Sequence, residues 1–541
     1  MSIATVACRA QLGLHAPLVQ VEVSLDSGLP SFSIVGLPAT VVKESKDRVR
    51  AAIVNSNFEF PAGRITINLS PADIPKRGGR FDLPIALGIL LASGQVKFDP
   101  RSPIDPGHRE FYGELGLNGE LRSVPGMLLA AAHAARMGHE VLVPATNADE
   151  VRLLLSAAAR ESDARVNASG EPAASRVSQR RRAGPTLRAA NHLLAVCAHL
   201  DGSTPLPALT PSLRTADGIA ETELDLTDVR GQVQAKRALT VAAAGGHSLL
   251  MRGPPGVGKS MLAMRLPGLL PPMTEAESID VAAIASANGL AFNVSSFGRR
   301  PMRTPHHTAS AVSLIGGGSV VRPGEISLAH HGVLFLDELL EYDRRALEAL
   351  REPMESGVVS IARANYHTQY PAQFQLIAAM NPCPCGRYGD PQGNCPCTPP
   401  QIAQYLARVS APLLERFDIH LEVPKVDLRD FDDAKLAGES SATIASRVER
   451  AREIQIARQD KCNARLTDAQ INRLCQPDKE ARGILNRSVE QLGFSARARQ
   501  RILKLARTIA DLSGDETVSA RHVIEAVTYR AFDRRRPVPK D

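Results

Sequence analysis

Over residues 1 to about 155 the apolar positions follow two periods in turn. VQVEVSL, FSIVGL, GRITINLS and EVLVPA alternate apolar and polar residues and predict strands, whereas VVKESKDRVRAAIVNS, FDLPIALGILLASG and PGMLLAAAHAARMG repeat at helical spacing. Together they predict an α+β or mixed-sheet domain. From about 160 to 222 this periodicity gives way to SDARVNASGEPAASRVSQRRRAGPT and DGSTPLPALTPSLRTADG, a composition that predicts a linker with one short helix around LRAANHLLAVCAHL. From 223 the order is strand, glycine loop, helix and strand, as in a parallel-sheet nucleotide-binding domain. Beyond about 427 the pattern is almost wholly helical, through ATIASRVERAREIQIARQ, RGILNRSVEQLGFSARARQRILKLARTIADLSG and SARHVIEAVTYRAF. The division expected is therefore 1–160, 161–222, 223–426 and 427–541.

The strand HSLLM runs into RGPPGVGKSMLAMRLPGLL, a glycine loop followed by an amphipathic helix (247–270). Gly253, Gly258, Lys259 and Ser260 fit G-x-x-x-x-G-K-[ST], with Pro254, Pro255, Gly256 and Val257 between them. Such a loop turns its amides toward phosphates; Lys259 supplies a charge at the β/γ end and the Ser260 hydroxyl a ligand for Mg²⁺. In GVLFLDELLEY (332–342), four apolar residues deliver Asp337 and Glu338 to a strand's carboxyl edge. Asp337 suits Mg²⁺ and Glu338 suits a base for the attacking water; the plainer reading is an acidic helix start after a core strand. QFQLIAAMN (373–381) is a third apolar strand. Its Asn381 either bridges γ-phosphate and lytic water or serves an αL turn. Arg416, in APLLERFDIHLEVP, has no local carboxylate that obviously claims it and suits a finger acting in trans on a neighbouring subunit. Arg497, with Arg499 competing, suits a second arginine from the C-terminal domain. Each arginine also fits a plain surface or interface position.

Composition narrows the class. At 541 residues two to four domains are expected, and 44% apolar with 22% charged residues reads as globular. Absent Trp argues against base-stacking platforms as the main device, while a formal charge of +7 leans toward a polyanionic partner. The opening residues lack the layout of a signal peptide, and LPIALGILLASG is too short and broken to cross a bilayer. A cytoplasmic chain without a membrane partner is expected, its cysteines facing a reducing pool that disfavours structural disulfides.

DVRGQVQAKRALTVAAAGGHSLLMRGPPGVGKS, the PHH of TPHHTASAVSLIGGG, ISLAHHGVLFLDELLEY, LEALREPMESG, NPCPCG and PLLERFDIHLEVP resemble magnesium-chelatase-like AAA+ proteins, and within them the ComM (YifB-type) branch, over nearly the whole length. The resemblance implies a homo-hexameric AAA+ ring using ATP and Mg²⁺. It carries ATPase roles onto Lys259, Ser260, Asp337, Glu338, Asn381, Arg416 and Arg497. It further implies a DNA helicase that promotes branch migration in natural transformation and homologous recombination, with single-stranded and branched DNA, and recombination proteins, as partners. ADIPKRGGRFDLPIALGIL and GELGLNGELRSVPGMLLAAAHAAR resemble the Lon-protease domain, an α+β fold shared with a ribosomal protein. The fold class implied is multidomain α/β: a Lon-like N-terminal domain, an AAA+ P-loop parallel-sheet domain and a C-terminal helical lid. A Lon-type site needs a Ser–Lys dyad, yet Pro75–Phe81 holds no serine and Gly126–Leu129 no lysine, so proteolysis is excluded. Lys43, Lys46, Arg48, Arg50, Lys76, Arg77 and Arg80 suit a DNA grip or a solvated face.

Cys383, Cys385, Cys395 and Cys397 form C-x-C-x9-C-x-C just after the sensor strand. Four thiols in a Gly/Pro-rich loop suit tetrahedral Zn²⁺, with a redox pair or free structural thiols as alternatives. Arg299, Arg300, Arg303, His306 and His307 are candidates for DNA phosphate contacts, with Arg363, Tyr366 and the run Arg180–Arg182 behind them; the histidines also suit turns, interfaces or metal. Every ATPase residue serves a DNA motor and a protein-remodelling ATPase alike.

Overall fold

The computed structural model describes residues 1–156, 186–211, 224–290, 296–318, 321–363, 366–389, 394–425, 438–530 and 532. They fall into two units, Met1–Asp217 with Glu275–Phe297, and Gly218–Thr274 with Gly298–Asp541.

Alternation builds the first unit. In Leu18–Asp26 the residues Val19, Val21 and Val23 are fully buried, and across the antiparallel ladder Val21 faces Leu69 and Val23 faces Ile67. The sheet runs, edge to edge, Ser31–Val35, Arg64–Ser70, Leu18–Asp26, Ser2–Arg9, Arg109–Phe111, Glu140–Pro144 and Leu187–Ala190. The Asp82–Ala92 helix is buried on nearly every side, which explains why its sequence is apolar all round. Its helices and strands form the elements expected of them, but two differences stand out. Ser2–Arg9, the middle strand, has only a ragged alternation because Ala, Thr and Cys occupy its slots. Leu187–Ala190 and the helix Leu193–Leu200 fall in the stretch read as linker, yet they extend the sheet and core of this unit; an LRAA strand carries no β-branched signal. Arg180–Arg182 lie outside the described residues. The 223–426 span is also divided differently, because the helix Glu275–Asn288 is counted with the first unit.

Several basic residues read as a DNA grip are tied into the fold. Arg48 forms a fork with buried Asp82 at 2.8 and 3.1 Å, Lys76 is buried against the Pro71 carbonyl, and buried Arg80 donates to Gln11 Oε1 and the Pro125 carbonyl. Lys46 and Arg50 are exposed, over the rings of Phe32 and Phe60. The Lys43 side chain lies outside the described residues.

The second unit is built on a five-stranded parallel sheet in the order Met302–Arg303, Val333–Leu336, Gln375–Met380, Leu249–Arg252 and Ile419–Glu422. Buried apolar runs such as VLFL and QLIAAM are what a parallel strand covered on both faces requires. The chain then becomes helical in Ser441–Gln459, Asp468–Leu474, Lys479–Leu492, Ala496–Ser513 and Ala520–Thr528. The long RGILNR…DLSG stretch is two helices, because Gly493 caps the first and the Ser495 side chain accepts from the Ala498 amide to start the second. The result is a mixed α/β protein with a parallel sheet and a helical C-terminal region.

Candidate ATPase site

Parallel pairing sets the carboxyl ends of three strands side by side. Arg252 is level with Met380, and Leu336 with Ala378, so the loops after Leu249–Arg252, Val333–Leu336 and Gln375–Met380 open on one sheet edge. The first strand lies between the last two strands of the sheet, Gln375–Met380 and Ile419–Glu422, and its loop opens at the carboxyl edge, where parallel α/β sheets hold ligands. Gly253 must be glycine, since a Cβ there would stand 2.3 Å from the Val423 carbonyl oxygen.

Lys259 opens the following helix and is buried. Its Nζ donates to the carbonyls of Gly253 (2.7 Å) and Pro254 (2.8 Å) and to Asn381 Oδ1 (3.2 Å). Burial pulls its ammonium below the usual lysine value, against Asp337 and Glu338, which favour the charge. Ser260 Oγ donates to Asp337 Oδ2 at 2.5 Å. The pair joins a hydroxyl to a carboxylate, hard oxygen donors of the kind Mg²⁺ takes. Asp337 Oδ1 also accepts the Glu338 amide at 2.9 Å, and the exposed Glu338 carboxylate faces His307 Nδ1 at 3.4 Å. Lys259, Ser260, Asp337 and Asn381 are thus joined by direct hydrogen bonds across three loops.

Arg416 and Arg497 make other contacts. Arg416 is buried, donates to the carbonyls of Arg351 (3.2 Å) and Pro412 (2.7 Å), and pairs with Glu355 at 2.7 Å. The carboxylate that claims it is not a local one, because the Arg351–Ser356 helix supplies it from far back in the chain. Glu348, Glu352 and Glu355 line a cavity of about 560 Å³ around this arginine. Arg497 is exposed on the first turn of its helix, with Glu415 at 3.7 Å, whereas Arg499 is half-buried.

The four loop cysteines converge. Cys383, Cys385 and Cys395 have Sγ atoms 3.4, 3.7 and 3.5 Å apart, and with Cys397 all four lie within 4.8 Å of one another. The Arg387 backbone amide, with neighbouring thiols, draws the Cys385 thiol down to about 7, while burial pushes Cys395 up to about 12. All eight cysteines of the chain are free thiols.

Residues 225–431 match the family described as magnesium chelatase, subunit ChlI; residues 21–147 match subunit ChlI of Mg-chelatase, and residues 438–530 its C-terminal part. The chain is 46% identical over 535 residues to the uncharacterized protein YifB of Escherichia coli (strain K12), covering 99% of this chain and 98% of that protein. It is 45% identical over 539 residues to competence protein ComM of Haemophilus influenzae, again covering 99% and 98%. The chain belongs to the ComM/YifB family of magnesium-chelatase-like proteins. A partial likeness, 27% identity over 255 residues, links 43% of it to 29% of the DNA replication licensing factor Mcm6 of Drosophila melanogaster.

Membership in the ComM/YifB family points to an AAA+ ATPase that uses ATP and Mg²⁺, and the oxygen donors of Ser260 and Asp337 fit that metal. No helix among the described residues is long and apolar enough to cross a membrane. Other expectations need revision. Arg300 donates to the carbonyls of Pro271, His331 and Pro272, and Arg303 forks onto Glu325 at 2.6 and 2.9 Å, so both have partners within the fold. His306 is joined to Thr308 Oγ1. The side chains of Arg363 and Tyr366 lie outside those described. Sequence reasoning missed two partners: His307, read as a DNA, turn or metal residue, meets Glu338, and Glu355 meets Arg416. The PHH tripeptide was the only signal for the first. Nothing local signalled the second.

Proposed function

We propose that this ComM/YifB-family chain is a homo-hexameric ATPase that turns ATP hydrolysis into movement along single-stranded and branched DNA, migrating junctions during natural transformation and homologous recombination. The observation that carries the ATPase part is the hydrogen-bonded convergence of Lys259, Ser260, Asp337 and Asn381, with Glu338 beside them. In this reading Lys259 exchanges the Gly253 and Pro254 carbonyls for β- and γ-phosphate oxygens. The amides of Gly253 to Ser260 cradle the phosphates. Bound Mg²⁺, held through Ser260 and Asp337, supplies charge neutralisation of the phosphates. Glu338 takes the proton of the attacking water, Asn381 orients that water against the γ-phosphate, and Arg416 reaches the same phosphate from the next subunit, with Arg497 acting from the lid.

DNA as the substrate is supported by the likeness over nearly the full length to a competence protein, by the partial likeness to a DNA replication factor and by the +7 charge. The first unit is taken as a Lon-like domain without the dyad, Lys46 and Arg50 being its exposed cations, and recombination proteins as its associates. The Cys383, Cys385, Cys395 and Cys397 set is taken as a zinc site.

The test is branch migration on a synthetic three- or four-strand junction with ATP, run beside Glu338→Gln and Lys259→Ala. Products that need ATP and vanish in both variants support the motor. Robust hydrolysis by an assembled ring without strand products would replace it with a protein-remodelling ATPase.

A further inference from the structure

We propose that metal held by the four loop cysteines sets the grip of the phosphate loop, so that zinc occupancy switches nucleotide binding; the proposal rests on the ATPase reading above. The thiols already stand at the spacing of a metal cage. Ligands placed tetrahedrally about 2.3 Å from zinc lie roughly 3.8 Å from one another. The three sulfur–sulfur separations among Cys383, Cys385 and Cys395, 3.4, 3.5 and 3.7 Å, approach that figure. The first pair sits on a tight knuckle. The Gly386 amide donates to the Cys383 carbonyl at 3.0 Å and the Tyr388 amide to Cys383 Sγ at 3.3 Å.

This knuckle is a wall of the phosphate loop. Asn381, which receives Lys259 Nζ, lies two residues before Cys383. Gly386, one residue after Cys385, is buried with its backbone at φ +76°, and a Cβ on it would stand 2.5 Å from Pro255 Cδ and 3.1 Å from Cγ. The stretch from Asn381 to Gly386 therefore touches the nucleotide loop at two places, one polar through Asn381 and one steric through Gly386. Cys395 and Cys397 come from the far arm of the loop and meet the knuckle sulfur to sulfur. A metal would turn that meeting into a cross-link. Its loss would leave the two pairs of thiols without that cross-link, and the knuckle without its fixed partner. Lys259 and Pro255 would then lose a fixed neighbour each, which loosens the cradle before any phosphate arrives.

The experiment uses the full chain. Zinc is counted by elemental analysis, removed by thiol-directed displacement and chelation, and restored, with Mg²⁺ replenished throughout; binding of a fluorescent ATP analogue is measured at each stage. About one zinc per chain is expected. Removal should weaken the analogue about tenfold, a loss comparable to one net hydrogen bond, with zinc restoring it. Gly386→Ala should keep its zinc and still bind the analogue weakly, which reports the contact with Pro255 even if the stripped protein unfolds. Absence of zinc, or a metal-free chain and a Gly386→Ala variant that both bind as tightly as the loaded wild type, overturns the proposal. Failure of the zinc-loaded wild type to bind any more tightly than Lys259→Ala would instead overturn the ATPase reading beneath it.

Discussion

Glu338 stands at φ 50°, in the left-handed region that a non-glycine residue occupies at a cost of about 1–3 kcal/mol. The following turn, closed by the Glu341 amide on the Glu338 carbonyl at 2.8 Å, holds it there, and His307 faces its carboxylate. On the proposed mechanism, His307 is a positioning residue for Glu338. Its replacement by Ala is expected to lower kcat about tenfold while ATP affinity stays unchanged, since misplacing a catalytic group by an ångström or so costs rate rather than binding. Phosphate release measured beside analogue binding checks this, and an unchanged kcat would remove His307 from the mechanism. Arg416 makes a second residue-scale case. If it works in trans, Arg416→Ala should lose about 10³ in kcat. Mixing it with Lys259→Ala subunits should restore part of that activity, because some interfaces then carry both intact groups. No recovery on mixing would leave Arg416 as a structural residue paired with Glu355.

At the scale of elements, the C-terminal helices are tied to the sheet by a buried polar cluster. His247, just before the first strand of the nucleotide sheet, has Nδ1 3.3 Å from Asp418 Oδ2 and Nε2 2.8 Å from Thr508 Oγ1 on the Ala496–Ser513 helix; Arg501 of that helix pairs with Asp418. Burial holds His247 below its usual value despite Asp418, whereas Asp418 is held far below the carboxylate range, Arg501 and His247 outweighing burial. The unfolded chain takes up a proton on this histidine near pH 6.5, before the folded chain does. Below that pH the unfolded state therefore binds more protons, and stability falls as pH drops. Asp418 adds a loss only at still lower pH, below about 4, where the unfolded carboxyl is protonated first. Melting curves between pH 7.5 and about 5.5 should show a steeper acid loss for wild type than for His247→Gln. Equal slopes would mean that this cluster does not govern the profile.

For the whole molecule, the proposed work on DNA makes an electrostatic prediction. Lys46 and Arg50 are exposed, while Arg303 is forked onto Glu325. Replacing Lys46 and Arg50 by Ala should weaken DNA uniformly across sequences and reduce the log–log salt slope by about two. Arg303→Ala should instead lower the melting temperature. Fluorescence anisotropy across a salt series separates these outcomes, and an unchanged slope in the double variant would remove the first unit's cations from the DNA interface.

The local pattern determined much. VLFLDE, QLIAAMN and LLMRGPPGVGKS each begin with a buried strand that runs into polar groups, because a parallel strand covered on both faces must be apolar and its carboxyl end must not be. Lys259, Ser260, Asp337 and Asn381 were legible for that reason, as was the four-cysteine loop from its crowding of thiols. Other partners became visible only in the folded chain. Glu355 reaches Arg416, His307 reaches Glu338, and Gly386 reaches Pro255 across separations that no sequence window spans. The strands Ser2–Arg9 and Leu187–Ala190 took their places from sheet neighbours rather than from their own weak β signals. Arg300 and Arg303 show the same limit from the other side. A sequence reveals that an arginine carries a charge, and only the tertiary structure decides which oxygen receives it.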